Sequence, residues 1–292
     1  MIGFVLPRVA GLAVTLLLAA LLIYVVLDPA AAAADAPVWQ RFFGWIGGAL
    51  LGDFGSSAGG PLGAMIAERL AVTVLLALLA LLLAALAGVP LGLLAGSRPG
   101  PIASAAVTGG TLVAAALPAL WVGMLLVLLF SATLRWLPSG GFVPWQQSPL
   151  GALGSLVLPA LALAVPLIPS LARAMRDATE QARASGFIRT ARLKGMTLSQ
   201  AFWRHGLRNA ALPLLAMLGP LLASLLAGAI VVENVFYLPG LGRLVFTAFA
   251  EGDLPTVRGA LLALLVAMAG ALLVADLLRL WADPRLRQGS AA

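Results

Sequence analysis

The chain has 292 residues, of which 62% are hydrophobic and 10% charged, with a net charge of +7 and no cysteine. A soluble domain of this length needs more charge than that to cover its surface, so a soluble globular protein is excluded. The missing cysteines exclude disulfides, thiolate metal sites and redox pairs, and the basic residues fall mainly in alternate loops, which argues against a nucleic-acid-binding face.

Apolar runs recur along the chain, each long enough to cross a hydrocarbon core of ~30 Å as a helix of about 20 residues. Lipid offers no partner for backbone N–H and C=O groups, so runs this continuous must be helical. The expected architecture is an all-α polytopic membrane protein, a single transmembrane domain over residues 1–292. Its six spans lie near 9–27, 70–95, 103–131, 152–174, 209–232 and 259–280.

The first span follows Arg8 and ends near Asp28, ahead of an Ala-rich AAAADA stretch that looks like a signal-peptidase site. Its apolar run exceeds the usual length of a signal-peptide core, so it reads as an uncleaved anchor. Residues 38–68 carry WQRFFGWIGGALLGDFGSS, too short and Gly-rich for a span, and read as an interfacial segment with Trp39 and Trp45 at headgroup level. The second span holds Gly88, Gly92 and Gly96, small residues spaced for close helix packing, with Pro90 among them as a source of bending. Pro118 and Trp121 mark the third span, Pro159 and Pro166 the fourth.

A cytoplasmic N-terminus places Arg8, Arg98, the segment up to Arg208 and the C-terminal tail inside. These hold 13 of the 18 Lys and Arg residues, and the outer loops hold the other five, Arg41, Arg69, Arg135, Arg243 and Arg258. The bias puts both termini inside. The last outer loop, 233–258, is expected to contain a turn at Pro239-Gly240 and a short helix. Its charges, Glu233, Arg243, Glu251 and Asp253, are read either as a docking surface or as plain solvation. Asp276, near the inner end of the last span, is expected to pair with Arg279. Buried Asp, Glu or His in the spans would mark a proton or ion path, and none is expected, which disfavours a secondary carrier. No paired carboxylates or His–Glu cluster suggest a membrane-embedded enzyme. His205 has no second His or Cys to help it hold a metal.

The densest polar segment is GFIRTARLKGMTLSQAFWRHGLRNAALP, Gly186 to Pro213, inside the predicted loop 175–208. It carries six basic residues, counting His205, and no acid. Helical spacing in its first half is interrupted at Gly195, and Thr197 is placed to cap a second helix. By charge alone it is either a topology signal or a helix that fills a groove on a soluble partner.

The order of residues in this segment resembles the cytoplasmic loop of ABC-transporter permeases. The general form is Glu-Ala-Ala, three residues, Gly, nine residues, Ile, any residue, Leu-Pro. Ala191, Gly195 and Leu207 match it, while Arg189, Thr190, His205 and Arg208 replace Glu, Ala, Ile and Pro. These departures are similar to the dipeptide/oligopeptide/nickel branch, whose loop looks like Tyr-Val-Arg-Thr-Ala-Arg-Ala-Lys-Gly and later Arg-His-Ala-Leu-Arg-Asn. Residues 66–96, 116–131, 231–245 and 276–287 resemble the same branch in the same order. The first outer region, about 28–60, is shorter than is usual there.

The resemblance implies an importer permease that moves a small solute, such as a peptide or nickel complex, across the bacterial inner membrane by alternating access. It implies a second, similar permease, two ATPase subunits that carry ATP and Mg, and a solute-binding protein outside. This chain has no Gly-x-x-x-x-Gly-Lys-Ser/Thr segment of its own, and no cofactor, metal site or catalytic residue is expected in it. By the same resemblance, Phe187, Ile188, Arg189, Thr190, Ala191, Arg192, Leu193, Lys194, Gly195, Met196, His205 and Arg208 belong to an ATPase-coupling loop. Phe187, Ile188, Leu193 and Met196 are expected to be its apolar anchors. The resemblance places Pro118 and Trp121 near the translocation path, helix packing with a kink being the other reading, and Glu233, Pro239, Gly240, Arg243 and Asp253 are candidates for docking the binding protein.

Overall fold

The computed structural model describes residues 2–28, 36–57, 60–97 and 116–282, with 100, 105, 109–110 and 112–114 between them. The AAAADA stretch, Arg98, most of 103–115 and the tail beyond 282 lie outside these residues. Helix α1 spans Ile2–Val26 and α2 spans Val38–Leu50. A two-residue β-ladder pairs Ser56–Ser57 with Gly60–Pro61 ahead of α3, Leu62–Ser97. Next come α4, Ala119–Leu126, continued by a π-helical stretch to Thr133, and α5, Pro149–Ala184, with a 3₁₀ turn at Val165–Leu167. The short α6, Gly186–Leu193, leads into α7, Leu198–Val235, then α8, Leu241–Ala250, and α9, Leu254–Ala282.

Among the described residues, α1, α3, α5, α7 and α9 are long and apolar enough to cross a membrane. The third predicted span, 103–131, appears as α4 with its π continuation. At 1.5 Å per residue that piece reaches about 22 Å, short of a ~30 Å core on its own. Pro118 is extended (φ −61°, ψ 140°) and caps α4, so the third span is interrupted there rather than merely bent. A proline has no N–H to give the preceding turn, and its ring disfavours helix in the residue before it.

Two predicted boundaries move inward along the chain. Helix α5 runs on past the predicted span end at 174 to Ala184, and α7 begins at Leu198, ahead of the predicted span start at 209. Residues 175–182 read as loop because Arg176, Asp177 and Glu180 follow the end of the apolar run. Yet Ala172, Met175, Ala178, Thr179 and Ala182 recur at helical spacing, and all are buried. The helix therefore continues beyond the apolar run, one face still covered.

The glycines of α3 explain how tightly this core closes. A Cβ added at Gly92 would lie 2.2 Å from the Ala172 carbonyl oxygen of α5, and one at Gly96 2.7 Å from Thr179 Cβ. Small residues let the α3 and α5 backbones touch, and Pro90 is accommodated within α3. The main core, which includes Leu76, Ala80, Leu156, Leu225 and Phe236, joins α3, α5, α7, α8 and α9.

The α1–α2 arm is pinned to α9 at both ends. Arg8 pairs with Asp276, so the expected Asp276–Arg279 pair is replaced by one that spans the sequence. At the other end, the Arg258 guanidinium lies 4.7 Å from the Tyr24 ring and 5.0 Å from the Trp45 ring. Trp45 therefore faces the protein, while Trp39 is exposed. Asp28 and Arg41 form a further ion pair there at 2.7 Å.

Candidate functional site

Helix α6 starts where α5 breaks. Ser185 is extended (φ −70°, ψ 153°), and its hydroxyl donates to the Ala182 carbonyl. Ten residues later the chain reverses at Gly195, whose φ of +88° is in the left-handed region. The Gly195 N–H donates to Arg192 O and the Met196 N–H to Ala191 O, the paired bonds of a Schellman cap. Thr197 and Gln200 then exchange side-chain-to-backbone bonds in a capping box that opens α7. Left-handed backbone strongly favours glycine, so Gly195 fixes the angle between α6 and α7.

The two faces of α6 have different fates. Ile188 and Ala191 are buried against Met175, Ala178, Ala182 and Phe202, with Met196 packed at the edge of this cluster. Leu193 is 83% exposed and Phe187 39% exposed, and Arg189, Thr190, Arg192 and Lys194 are exposed beside them. This corrects the expected set of apolar anchors. Ile188 is a core residue of this chain and cannot reach a partner, whereas Leu193 and Phe187 face outward.

Two clefts flank the helix. One, of about 610 Å³, is lined by Arg183, Arg189, Arg192, Gly195 and Thr197 among others. The other, of about 670 Å³, is lined by Phe187, Thr190, Lys194, Met196, Arg204, His205 and Asn209. The predicted loop residues His205 and Lys194 thus share a cleft wall, while Arg208 is exposed outside both clefts. Arg183, which the sequence did not single out, donates to Ser97 O and ties the end of α3 to α5 beside α6.

At the opposite end of the molecule, the candidate docking residues are largely turned inward. Glu233 is fully buried and belongs to the last turn of α7, not to a solvated loop. Its Oε1 accepts from Thr73 Oγ1 at 2.6 Å, and its Oε2 accepts from the Gly242 and Arg243 N–H groups at 2.7 and 3.2 Å. This corrects two expectations: Glu233 cannot meet a soluble receptor, and a buried acid does exist at the end of a span. Gly240 is buried as the N-cap of α8, next to the half-buried Pro239. Arg243 donates to Tyr237 O at 2.8 Å and lies 4.9 Å from that ring. Asp253 accepts from the N–H and hydroxyl of Thr256 at the start of α9.

Pro118 and Trp121 are both exposed, and Trp121 continues a bare apolar face of α4 through Met124, Leu125 and Leu128. Among the described residues, no group of three or more His, Cys, Asp or Glu could hold a metal ion. Thr73, the buried partner of Glu233, is the residue the sequence reading missed most completely. A single threonine within an apolar run carries no local signal, and only the fold brings it to Glu233.

Residues 88–288 match the family described as binding-protein-dependent transport system inner membrane component. A putative peptide transport system permease protein of Brucella abortus (strain 2308) is 36% identical over 255 residues, covering 87% of this chain and 81% of that protein. The oligopeptide transport system permease protein AppB of Bacillus subtilis (strain 168) is 31% identical, covering 86% and 81%. The glutathione transport system permease protein GsiC of Salmonella choleraesuis (strain SC-B67) is 32% identical over 319 residues, covering 98% and 99%.

Proposed function

The chain belongs to the family of binding-protein-dependent transport system inner membrane components, and from that premise we propose how its parts work. It is the permease subunit of an ABC importer of the peptide/oligopeptide branch, a multi-pass inner-membrane protein and a transport subunit rather than an enzyme. In our reading the solute is a short peptide or a peptide-like molecule, a class suggested by the names of the relatives. The single His and absent Cys leave this chain poorly equipped to ligate nickel directly.

We assign ATP binding and hydrolysis, with Mg, to two separate ATPase subunits seated under α6 and its counterpart in a second permease, a homologue of this chain. A solute-binding protein delivers the solute at the outer face. The observation that carries this reading is α6 itself. It is capped at its C-terminal end, seated on its own small core, and presents Leu193 and Phe187 beside Arg189, Arg192 and Lys194, in a segment, 186–213, that contains no acid. That face suits a partner groove with an apolar floor and an acidic rim. Closure of the ATPases would push on α6, and solute-loaded receptor and ATP would bind the two states of the permease with different affinities. Trp121 and Pro118 on the bare face of α4 are our candidates for the path.

The test is affinity purification of the full chain in mild detergent from its native membrane, with mass spectrometry of what accompanies it. An ATPase and a second permease are expected. Reproducible purification of a well-folded chain alone would overturn the reading and restore the secondary-carrier alternative.

A further inference from the structure

The first three N–H groups of α8 are capped by other helices. Leu241 N–H donates to Thr73 Oγ1 of α3 at 2.8 Å, and Gly242 and Arg243 donate to Glu233 at the end of α7. The N-cap, Gly240, has no side chain to offer. A Cβ there would lie 2.2 Å from the Glu233 carboxyl carbon, and one at Gly242 would lie 2.3 Å from Ile230 Cα. These glycines therefore let the α8 backbone close directly onto α7. The Thr73 hydroxyl has one proton. Its contact with Glu233 Oε1 at 2.6 Å is shorter than that with Arg69 O at 3.3 Å, so the proton goes to the carboxylate and the lone pairs take Leu241.

In each of these three hydrogen bonds Glu233 is the acceptor. A buried carboxylate is tolerated only when so satisfied, and the helix N-terminus adds a favourable dipole. Removing any one partner leaves a buried group unpaired, so the joint holds as a unit or fails as a unit. Thr73 and Glu233 are both fully buried, and water cannot replace a lost bond.

The same helix that ends in Glu233 begins beside α6. Helix α7 runs for 38 residues, with a π-helical stretch at Phe202–Gly206 near its start and Pro213 and Pro220 inside it. Its first turn is held by the capping box that follows Gly195. The free face of α8 carries Phe246 and Phe249, both exposed. We propose that Glu233 and Thr73 are positioning residues: they fasten α8 to α7 and α3, so that a shift begun at α6 is delivered through α7 to the outer mouth. This rests on the proposed coupling role of α6.

The test uses the complete importer in proteoliposomes and reads solute uptake per ATP hydrolysed, beside the amount of assembled complex. Thr73→Val keeps the shape and removes the hydroxyl. It is expected to lower uptake per ATP by about tenfold or more, the scale of losing a hydrogen bond to a charged group, in complex assembled at wild-type level. Thr73→Ser, which keeps the hydroxyl, is expected to restore the ratio. Leu238→Ala, a packing defect beside the joint, is expected to lower the amount of complex but not the ratio. A wild-type ratio in Thr73→Val, or loss explained wholly by reduced assembly, would overturn the proposal. If the wild-type complex itself moves no solute, the transport reading fails instead.

Discussion

Replacing Gly195 separates the geometry of α6 from its charge. The residue sits at φ +88° with nothing within 4 Å of where a Cβ would lie, so a side chain meets no clash and the cost is backbone strain alone. For an ordinary L-residue that strain is about 1–2 kcal/mol, enough to change the population of the docked helix by a factor of roughly 5–30. Asn tolerates the left-handed region better than Ala or Val, so coupling should fall in the order Gly, Asn, Ala, Val. Asp has nearly the shape of Asn but adds a negative charge at a helix C-terminus, unfavourable by about 0.3–1 kcal/mol, and it places an acid among Arg189, Arg192 and Lys194. Gly195→Asp should therefore insert normally yet uncouple transport from ATP hydrolysis more than Gly195→Asn. The assay is uptake and ATP hydrolysis measured together in proteoliposomes. Wild-type coupling in both the Val and Asp variants would refute the reasoning.

Four other outcomes follow from the structure. Leu193→Ala should leave the thermal stability of the purified chain unchanged but weaken ATPase association, since burying a leucine is worth about 1.5–3 kcal/mol. Ile188→Ala should do the reverse first, costing about 2–5 kcal/mol of local stability, visible as a lowered unfolding temperature of the chain without partners. Gly92→Val should prevent α3 from closing on α5, because even a Cβ would meet the Ala172 carbonyl oxygen at 2.2 Å, and accumulation of folded protein in the membrane reports it. Arg258→Leu removes a cation from between Tyr24 and Trp45, interactions worth about 0.5–2 kcal/mol each, and should loosen the α1–α2 arm, read as a change in Trp fluorescence and earlier proteolysis of that arm.

Hydropathy made the crossings legible, because each apolar run reports its own burial in lipid. The inner ends of α5 and α7 were not read correctly, since charge on one face of a helix looks like a loop when averaged over a window. The buried positions Met175, Thr179 and Ala182 would have shown the helical period had it been followed past Arg173. The turn at Gly195 and the cap at Thr197 were visible because both are local chemistry. The direction each side of α6 faces was not, because Ile188 and Leu193 are alike as residues, and only the cluster around Phe202 distinguishes them. Long-range pairs were the least visible. Asp276 finds Arg8 rather than its near neighbour, and Glu233 finds Thr73 across 160 positions. An acid at the end of an apolar run was itself a signal of a special site, and the glycines that follow it at 240 and 242 were the other half.

The natural absence of cysteine allows the central claim, that α6 docks in an ATPase, to be tested directly. A single Leu193→Cys change introduces one thiol at a position 83% exposed, to which a short photoactivatable cross-linker can be attached in the native membrane. The account predicts a cross-linked product containing an ATP-binding subunit, absent when the thiol is placed at the buried Ile188 instead. Cross-linking of Leu193→Cys to lipid or to other membrane subunits only, in a complex that still contains the ATPase, would contradict it.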